Sequence, residues 1–350
     1  MSKDIYLVIG GSGFVGRHIV QQLLDRGDIV SVFDIVQRYN DVPFYSGDIT
    51  DEDQLAAALR KSGATCIIHT ASPPAGLTDS ALYFRVNVDG TKAVIAAAVA
   101  CKVRKLVFTS SAGVVFNGTD IIGVDERLPF PEVPMDAYNE SKAKAEEAVL
   151  EANGKGGLLT VALRPAGIFG PGDRQAMTGL YQVYERGQTH FQVGDNTNLF
   201  DWTYVGNVAQ TSINREKLRH PDKTPLQVAG QAFFITNGEP CYFWDFPRTV
   251  WRHLDSFFPG HRKQRGLIVL PKPIGMAAAS GSEWFGWLTG KQPTFTKFKV
   301  TFSCATRWYN IEKARRVLGY EPEVGVEEGV RRMVEWWHSE YIAGNHKQAH

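Results

Sequence analysis

Cysteine is scarce in this chain. Cys66, Cys101, Cys241 and Cys304 are all there is in 350 residues, scattered without pairwise spacing. That excludes a disulfide framework and a zinc module, and reads as buried thiols in a reducing compartment. An excess of one charge is lacking too. Thirty-eight Lys and Arg stand against 37 Asp and Glu, a net +1, so no global field draws the chain to nucleic acid, and no nucleic-acid partner is expected. Met1-Ser2-Lys3-Asp4-Ile5 runs straight into a strand-like segment with none of the parts of a signal peptide. The apolar stretch 266–290 is interrupted by Pro271, Lys272, Pro273 and Glu283, which denies it the roughly 20 predominantly apolar residues that a membrane span needs. Internal repeats and low-complexity linkers are absent as well.

What is present is a rhythm. Short β-branched runs alternate with amphipathic helices over the first two thirds, as in a parallel sheet with crossovers. Ile5–Ile9, Ile29–Phe33, Cys66–Thr70, Lys105–Thr109 and Leu159–Leu163 read as strands. After Arg164 the rhythm breaks, returning briefly at Ala232–Thr236, and from Pro240 to Lys299 the chain reads as aromatic-rich and irregular. The expectation is an α/β fold, a doubly wound parallel sheet of Rossmann type with a smaller inserted and C-terminal substrate lobe. Residues 1–164, completed by about 203–238 and part of the C-terminal tail, would bind a dinucleotide; 165–202 and 239–308 would form the lobe; 309–350 would be a helical tail.

Gly10-Gly11-Ser12-Gly13-Phe14-Val15-Gly16 follows the first strand and opens a helix. Glycines at 10, 13 and 16 permit a tight turn and close approach of backbone to a pyrophosphate, which then meets the unpaired N–H groups of the helix N-terminus. Gly10, Ser12, Gly13, Phe14 and Val15 are therefore cofactor candidates. Asp34 closes the next strand about 20 residues on, where a carboxylate holds the adenosine ribose hydroxyls. It would repel a 2′-phosphate, which favours NAD over NADP, although nearby Arg38 keeps NADP open. Asp48 and Ile49 end the third strand near the expected adenine. Thr70, Ala71 and Ser72 close the fourth with side chains small enough to let ribose and phosphates approach, and Asn87 lies on the helix that follows. No metal site is expected.

Tyr138 and Lys142 are four residues apart on one helix, begun by Asp136 as N-cap, and so share a face. Ala145 and Val149 continue that face, which puts an ammonium on an apolar stripe where it is expensive. A function accounts for the expense. A phenol titrates near ~10 and serves as a base at neutral pH only when a cation stabilises the phenolate. Tyr138 and Lys142 thus read as an acid/base pair that also contacts the cofactor. The strand end Thr109-Ser110-Ser111 offers hydroxyls for the reacting oxygen, with Ser111 favoured and Ser110 in reserve.

The glycine turn, the Thr-Ser-Ser strand end, Tyr138-x-x-x-Lys142 and Arg164-Pro165-Ala166-Gly167-Ile168-Phe169-Gly170-Pro171 resemble the extended short-chain dehydrogenases, and among them the 3β-hydroxysteroid dehydrogenase branch. His69-Thr70-Ala71-Ser72-Pro73-Pro74, Phe169–Gln175, Asp201–Val208, Gln292–Thr296 and Tyr309–Trp337 continue the likeness along nearly the whole chain. They are most similar to the branch's fungal members that act on sterol acids. The resemblance implies oxidation, with NAD, of the 3β-hydroxyl of a sterol bearing a 4α-carboxylate, followed by loss of CO2, in ergosterol synthesis. It implies that Pro165, Gly167 and Ile168 hold the nicotinamide carboxamide. It also implies a peripheral enzyme on the cytoplasmic face of the endoplasmic reticulum, a homodimer, and association with other enzymes of sterol C4-demethylation. Gln210-Thr211-Ser212-Ile213-Asn214 departs from the family's pattern, which leaves a triterpenoid substrate open.

Two alternatives stand at this stage. A nucleotide-sugar epimerase shares the glycine turn and the Tyr/Lys pair, but needs a more polar pocket than the lobe's Phe243, Trp244, Phe246, Trp251, Trp284, Phe285 and Trp287 suggest. A non-catalytic dinucleotide sensor has no use for Tyr138 and Lys142 together. For the carboxylate, Arg174 is the candidate, against an ordinary surface role. The tryptophans of 266–290, with the basic run His261–Arg265 upstream, suggest docking on a membrane surface, or else a roof over the sterol pocket.

Overall fold

The computed structural model describes residues 3–213, 228–263, 265–290, 295–342 and 344. Asn214, Gln264, Gln292-Pro293-Thr294 and the end of the expected tail lie outside them. Seven parallel strands form the central sheet: β1 (Ile5–Ile9), β2 (Ile29–Asp34), β3 (Phe44–Ser46), β4 (Cys66–His69), β5 (Lys105–Thr109), β6 (Leu159–Pro165) and β7 (Gln231–Ile235). Their order across the sheet is β7-β6-β5-β4-β1-β2-β3. It reverses between β1 and β4, and such a switch point opens a crevice at the C-terminal strand ends.

Both faces of this sheet are covered, which is why its strands are apolar throughout and do not alternate with polar residues. Side chains two apart share a face. Val8, Val32, Ile68, Val107 and Val161 pack on one side, and Leu7, Ile9, Phe33, Ile67, Leu106 and Phe108 on the other. The helix Gly90–Ala100 buries Val94, Ala97 and Ala98 in the second layer, its small residues allowing close approach. Asp51 and Asp136 cap the helices Glu52–Ser62 and Ala137–Glu151 by accepting hydrogen bonds from Gln54 N and Asn139 N.

A third cluster lies beyond the sheet, built on Phe169, Phe200, Trp202, Phe246, Trp251 and Leu254. The helix Val326–Ile342 adds Val330, Met333 and Val334 to it. A four-stranded sheet runs beside this cluster and contains β8 (Arg307–Tyr309), which pairs in parallel with Phe200 and with Ile121. The segment read as irregular is in fact largely helical: Asp245–Phe257, Lys272–Thr289 and Lys297–Cys304 are helices. Pro247 and Pro273 sit in first turns, where a missing N–H costs no internal hydrogen bond.

Candidate active site

The glycine turn stands at the switch point. Gly10 has φ +82°, and a Cβ on it would lie 2.6 Å from the Ala71 nitrogen. A Cβ on Gly16 would lie 2.1 Å from the Gly10 carbonyl oxygen. Neither position accepts a side chain, so the turn is held tight against the end of β4. Gly13 caps the helix Phe14–Asp25 with no side-chain acceptor, so Phe14 and Val15 begin a helix whose first N–H groups are unclaimed by a cap. Asp34 lies across the turn, its Oδ2 accepting from Ser12 N at 3.0 Å and its Oδ1 from Ile35 N at 2.8 Å. Thr70 Oγ1 donates to the Ile9 carbonyl at 3.0 Å, which ties β4's end to the turn. Ala71 and Ser72 follow, partly exposed along the same edge. A cradle closed to any Cβ, an uncapped helix start and a carboxylate at the next strand end fit a dinucleotide.

The strand called third ends sooner than expected, at Ser46, so Asp48 and Ile49 lie in the loop beyond it. Asp48 is exposed and accepts from Thr50, while Ile49 is buried. Pro165 ends β6, and Gly167 and Ile168 follow it. A Cβ on Gly167 would come within 2.7 Å of the Phe200 ring.

Lys142 is buried on the face shared with Tyr138, and its Nζ donates to the Thr109 carbonyl at 2.6 Å and lies 4.5 Å from the Phe108 ring centroid. Burial pushes its ammonium down to about 7, with Glu146 pulling the other way. Burial pushes the Tyr138 phenol up to about 12, opposed by the nearby Ser111 hydroxyl. The Tyr138 ring packs edge-on against Tyr83 at 5.5 Å. Ser111 also accepts from Gly113 N at 3.0 Å. Ser111, not Ser110, is therefore the hydroxyl beside the phenol.

Ser110 turns the other way and donates to Glu146 Oε2 at 2.5 Å. Glu146 is fully buried and receives Arg164 through Nε at 3.0 Å and Nη2 at 2.6 Å. This triad fixes β5, β6 and the helix that bears Lys142 to one another. The sequence reading overlooked Glu146, although Tyr138, Lys142 and Glu146 recur at i, i+4 and i+8, a spacing that could have found it. Asn87, in the one-turn π-helix Phe84–Asp89, donates to Ser141 Oγ at 2.9 Å. His69, fully buried, meets Thr91 Oγ1 at 3.0 Å, and burial first and Lys142 second push it down to about 3, so its imidazole is neutral. Arg174 stays at the surface. It is exposed, and its nearest acid is Glu340 at 3.9 Å. The basic run is partly spent as well, since Arg262 pairs with Asp255. Among the described residues no group of three or more His, Cys, Asp or Glu could hold a metal.

A seven-stranded parallel sheet, a glycine cradle at its switch point and a Tyr–Lys helix beside a serine strand end define the extended short-chain dehydrogenase class. The chain belongs to the 3-beta hydroxysteroid dehydrogenase/isomerase family, whose model matches residues 7–263. It is 48% identical to the decarboxylating sterol-4-alpha-carboxylate 3-dehydrogenase of Saccharomyces cerevisiae, over 96% of this chain and 99% of that one. It is 38% identical to the human enzyme of that name, over 94% and 87%. Among solved structures it is similar to the UDP-glucose 4-epimerases of Thermotoga maritima, with UDP-glucose (TM-score 0.72, 19% identity, 96% and 99% covered), and of Thermus thermophilus, with NAD (0.68, 23%, 95% and 98%). At those identities the likeness shows the fold alone.

Proposed function

We propose that this protein oxidises the 3β-hydroxyl of a sterol bearing a 4α-carboxylate and releases that carboxylate as CO2. The observation that carries the reading is near full-length kinship with decarboxylating sterol-acid dehydrogenases, in a chain whose Tyr138 has the Ser111 hydroxyl beside it and Lys142 one turn further along its helix. NAD held in the glycine cradle supplies the hydride acceptor. Ser111 Oγ holds the substrate oxygen. Tyr138 Oη takes its proton as the hydride leaves C3, and Lys142, anchored on the Thr109 carbonyl, stabilises the phenolate. Loss of hydride and proton leaves a ketone β to the carboxylate. The C4–carboxyl bond then breaks, its electron pair enters the enol over C3 and C4, CO2 departs, and a proton returns to C4.

In this reading Asp34, already fixed by two backbone N–H groups, holds the ribose hydroxyls and favours NAD. Asp48 and Ile49 border the adenine, Thr70, Ala71, Ser72 and Asn87 support the ribose and nicotinamide ends, and Pro165, Gly167 and Ile168 hold the carboxamide, while Ser110, expected there too, is turned to Glu146 and acts on the site only through that contact. Residues 1–164 with about 203–238 carry the cofactor, 165–202 and 239–308 enclose the sterol, and 309–350 buttress the lobe.

We further infer docking on the cytoplasmic face of the endoplasmic reticulum membrane. The helix Lys272–Thr289 leaves Trp284 63% and Trp287 80% exposed, with Phe285 and Leu288 exposed beside them. Exposed Leu267, Ile268 and Val269 precede that helix. Tryptophan favours the headgroup region, and among the described residues no helix is long and apolar enough to cross a membrane.

Purified protein given NAD and a 4α-carboxysterol is expected to form NADH and CO2 in equal amounts, faster than with NADP. NADH without CO2, or no turnover, contradicts the reading.

A further inference from the structure

A buried cation near Ser111 and Tyr138 has been given no work. Arg307, in β8, is only 7% exposed. Its guanidinium carbon lies 4.2 Å from the Phe302 ring centroid, 4.3 Å from Phe116 and 4.7 Å from Phe200. Yet among the described residues neither its Nε nor its Nη2 has a hydrogen-bond partner. Three aromatic rings offset part of the cost of burying the charge, but they do not satisfy N–H groups that need an acceptor. A buried donor left unmet is costly, and a buried charge more so. The other deeply buried arginine, Arg164, meets Glu146; Arg307 has no such counterpart among the described residues.

Neither Asp201 nor Asp136 forms an ion pair with it among the described residues. Asp201 accepts from Tyr309 N at 2.8 Å and sends its own N–H to the Arg307 carbonyl at 2.9 Å. Burial raises its carboxyl to about 7 despite that hydrogen bond. Asp136 is close enough to Arg307 to feel its charge, but its side chain caps the Tyr138 helix.

Position makes the residue relevant. Phe116 closes the turn that Ser111 begins. Tyr309, two residues on from Arg307, donates its hydroxyl to the Ala112 carbonyl at 3.2 Å. Asp136, whose field Arg307 feels, lies two residues before Tyr138. The guanidinium therefore stands beside the segments that present both Ser111 and Tyr138. In a 3β-hydroxy-4α-carboxysterol the carboxylate is on the carbon adjacent to the reacting one, so whatever binds it must stand just there. Arginine's planar fork matches a carboxylate with two parallel hydrogen bonds, and an ion pair out of water is stronger than one at the surface.

We propose that Arg307 is the residue that binds the C4 carboxylate, and so sets the preference for sterol acids over neutral sterols. The proposal rests on the sterol-acid reading above. Its test compares the 4α-carboxysterol with its methyl ester, in which the hydroxyl remains and the anion is gone, reading NADH formation and direct binding of each compound. Arg307→Met is expected to lose about a hundredfold in kcat/KM on the acid, mostly in KM, as for two charged hydrogen bonds lost, with matching loss of affinity. The ester should change by no more than about threefold. Arg307→Lys retains a cation for folding but not the fork, so it should lose about tenfold on the acid and nothing on the ester. Should Arg307→Met fail to fold, the lysine variant decides the matter. Equal losses on acid and ester, or none on the acid, overturn the assignment while leaving the oxidation intact. A wild type that reduces NAD with neither compound overturns the sterol-acid reading itself.

Discussion

Tyr138 and Lys142 were legible because their spacing puts them on one helix face and because an ammonium on an apolar stripe asks for a reason. The structure buries that lysine and seats it on the Thr109 carbonyl. Ser111 over Ser110 was harder to read, since adjacent residues in extended backbone point opposite ways and sequence does not say which way is inward. The partner of Ser110, Glu146, settles the direction. Arg307 gave no signal, as an arginine in a strand is ordinary until three rings are found around it. The residue scale carries one firm expectation. In Tyr138→Phe the ring still packs on Tyr83, but the proton acceptor is gone. Turnover should fall by at least ~10²–10⁴-fold, the usual worth of a positioned acid/base, while NAD affinity stays nearly intact. Steady-state rates beside a cofactor titration check this; near wild-type turnover would contradict the mechanism.

Elements were read well where the pattern was local. The strand–turn–helix at Ile5–Asp25 and the capped helix at Ala137–Glu151 stand where expected. Between Pro240 and Lys299 the expected irregular chain is largely helical. The pattern hid this because Lys272–Thr289 and Lys297–Cys304 show little helical periodicity, and prolines sit in the first turns of Asp245–Phe257 and Lys272–Thr289. That helix content matters for docking. With Gly275, Ala279 and Gly286 buried, the helix Lys272–Thr289 presents its large apolar groups outward, which favours a membrane-facing surface over a roof. Wild-type protein should float with anionic liposomes, and Trp284→Ser/Trp287→Ser should lose most of that association with its turnover of detergent-dispersed sterol unchanged. Wild type that stays at the bottom of the gradient leaves only the roof.

At the scale of the molecule, the sheet was legible because a parallel sheet buried on both faces demands apolar strands and crossover helices. The third cluster was not, since Phe169, Trp202, Phe246 and Val330 meet from four separated segments, and no periodicity reports such a meeting. The same architecture serves UDP-glucose 4-epimerases, whose product is no more oxidised than their substrate, so the fold alone does not say where the hydride ends. Its fate is therefore the most direct test of the central claim. A 4α-carboxysterol carrying deuterium at C3 and 13C in the carboxyl group should yield deuterated NADH and 13CO2 in equal amounts, with a 3-ketone as product. Deuterium back on C3, or 13CO2 released without deuterium on the nicotinamide, would contradict the account.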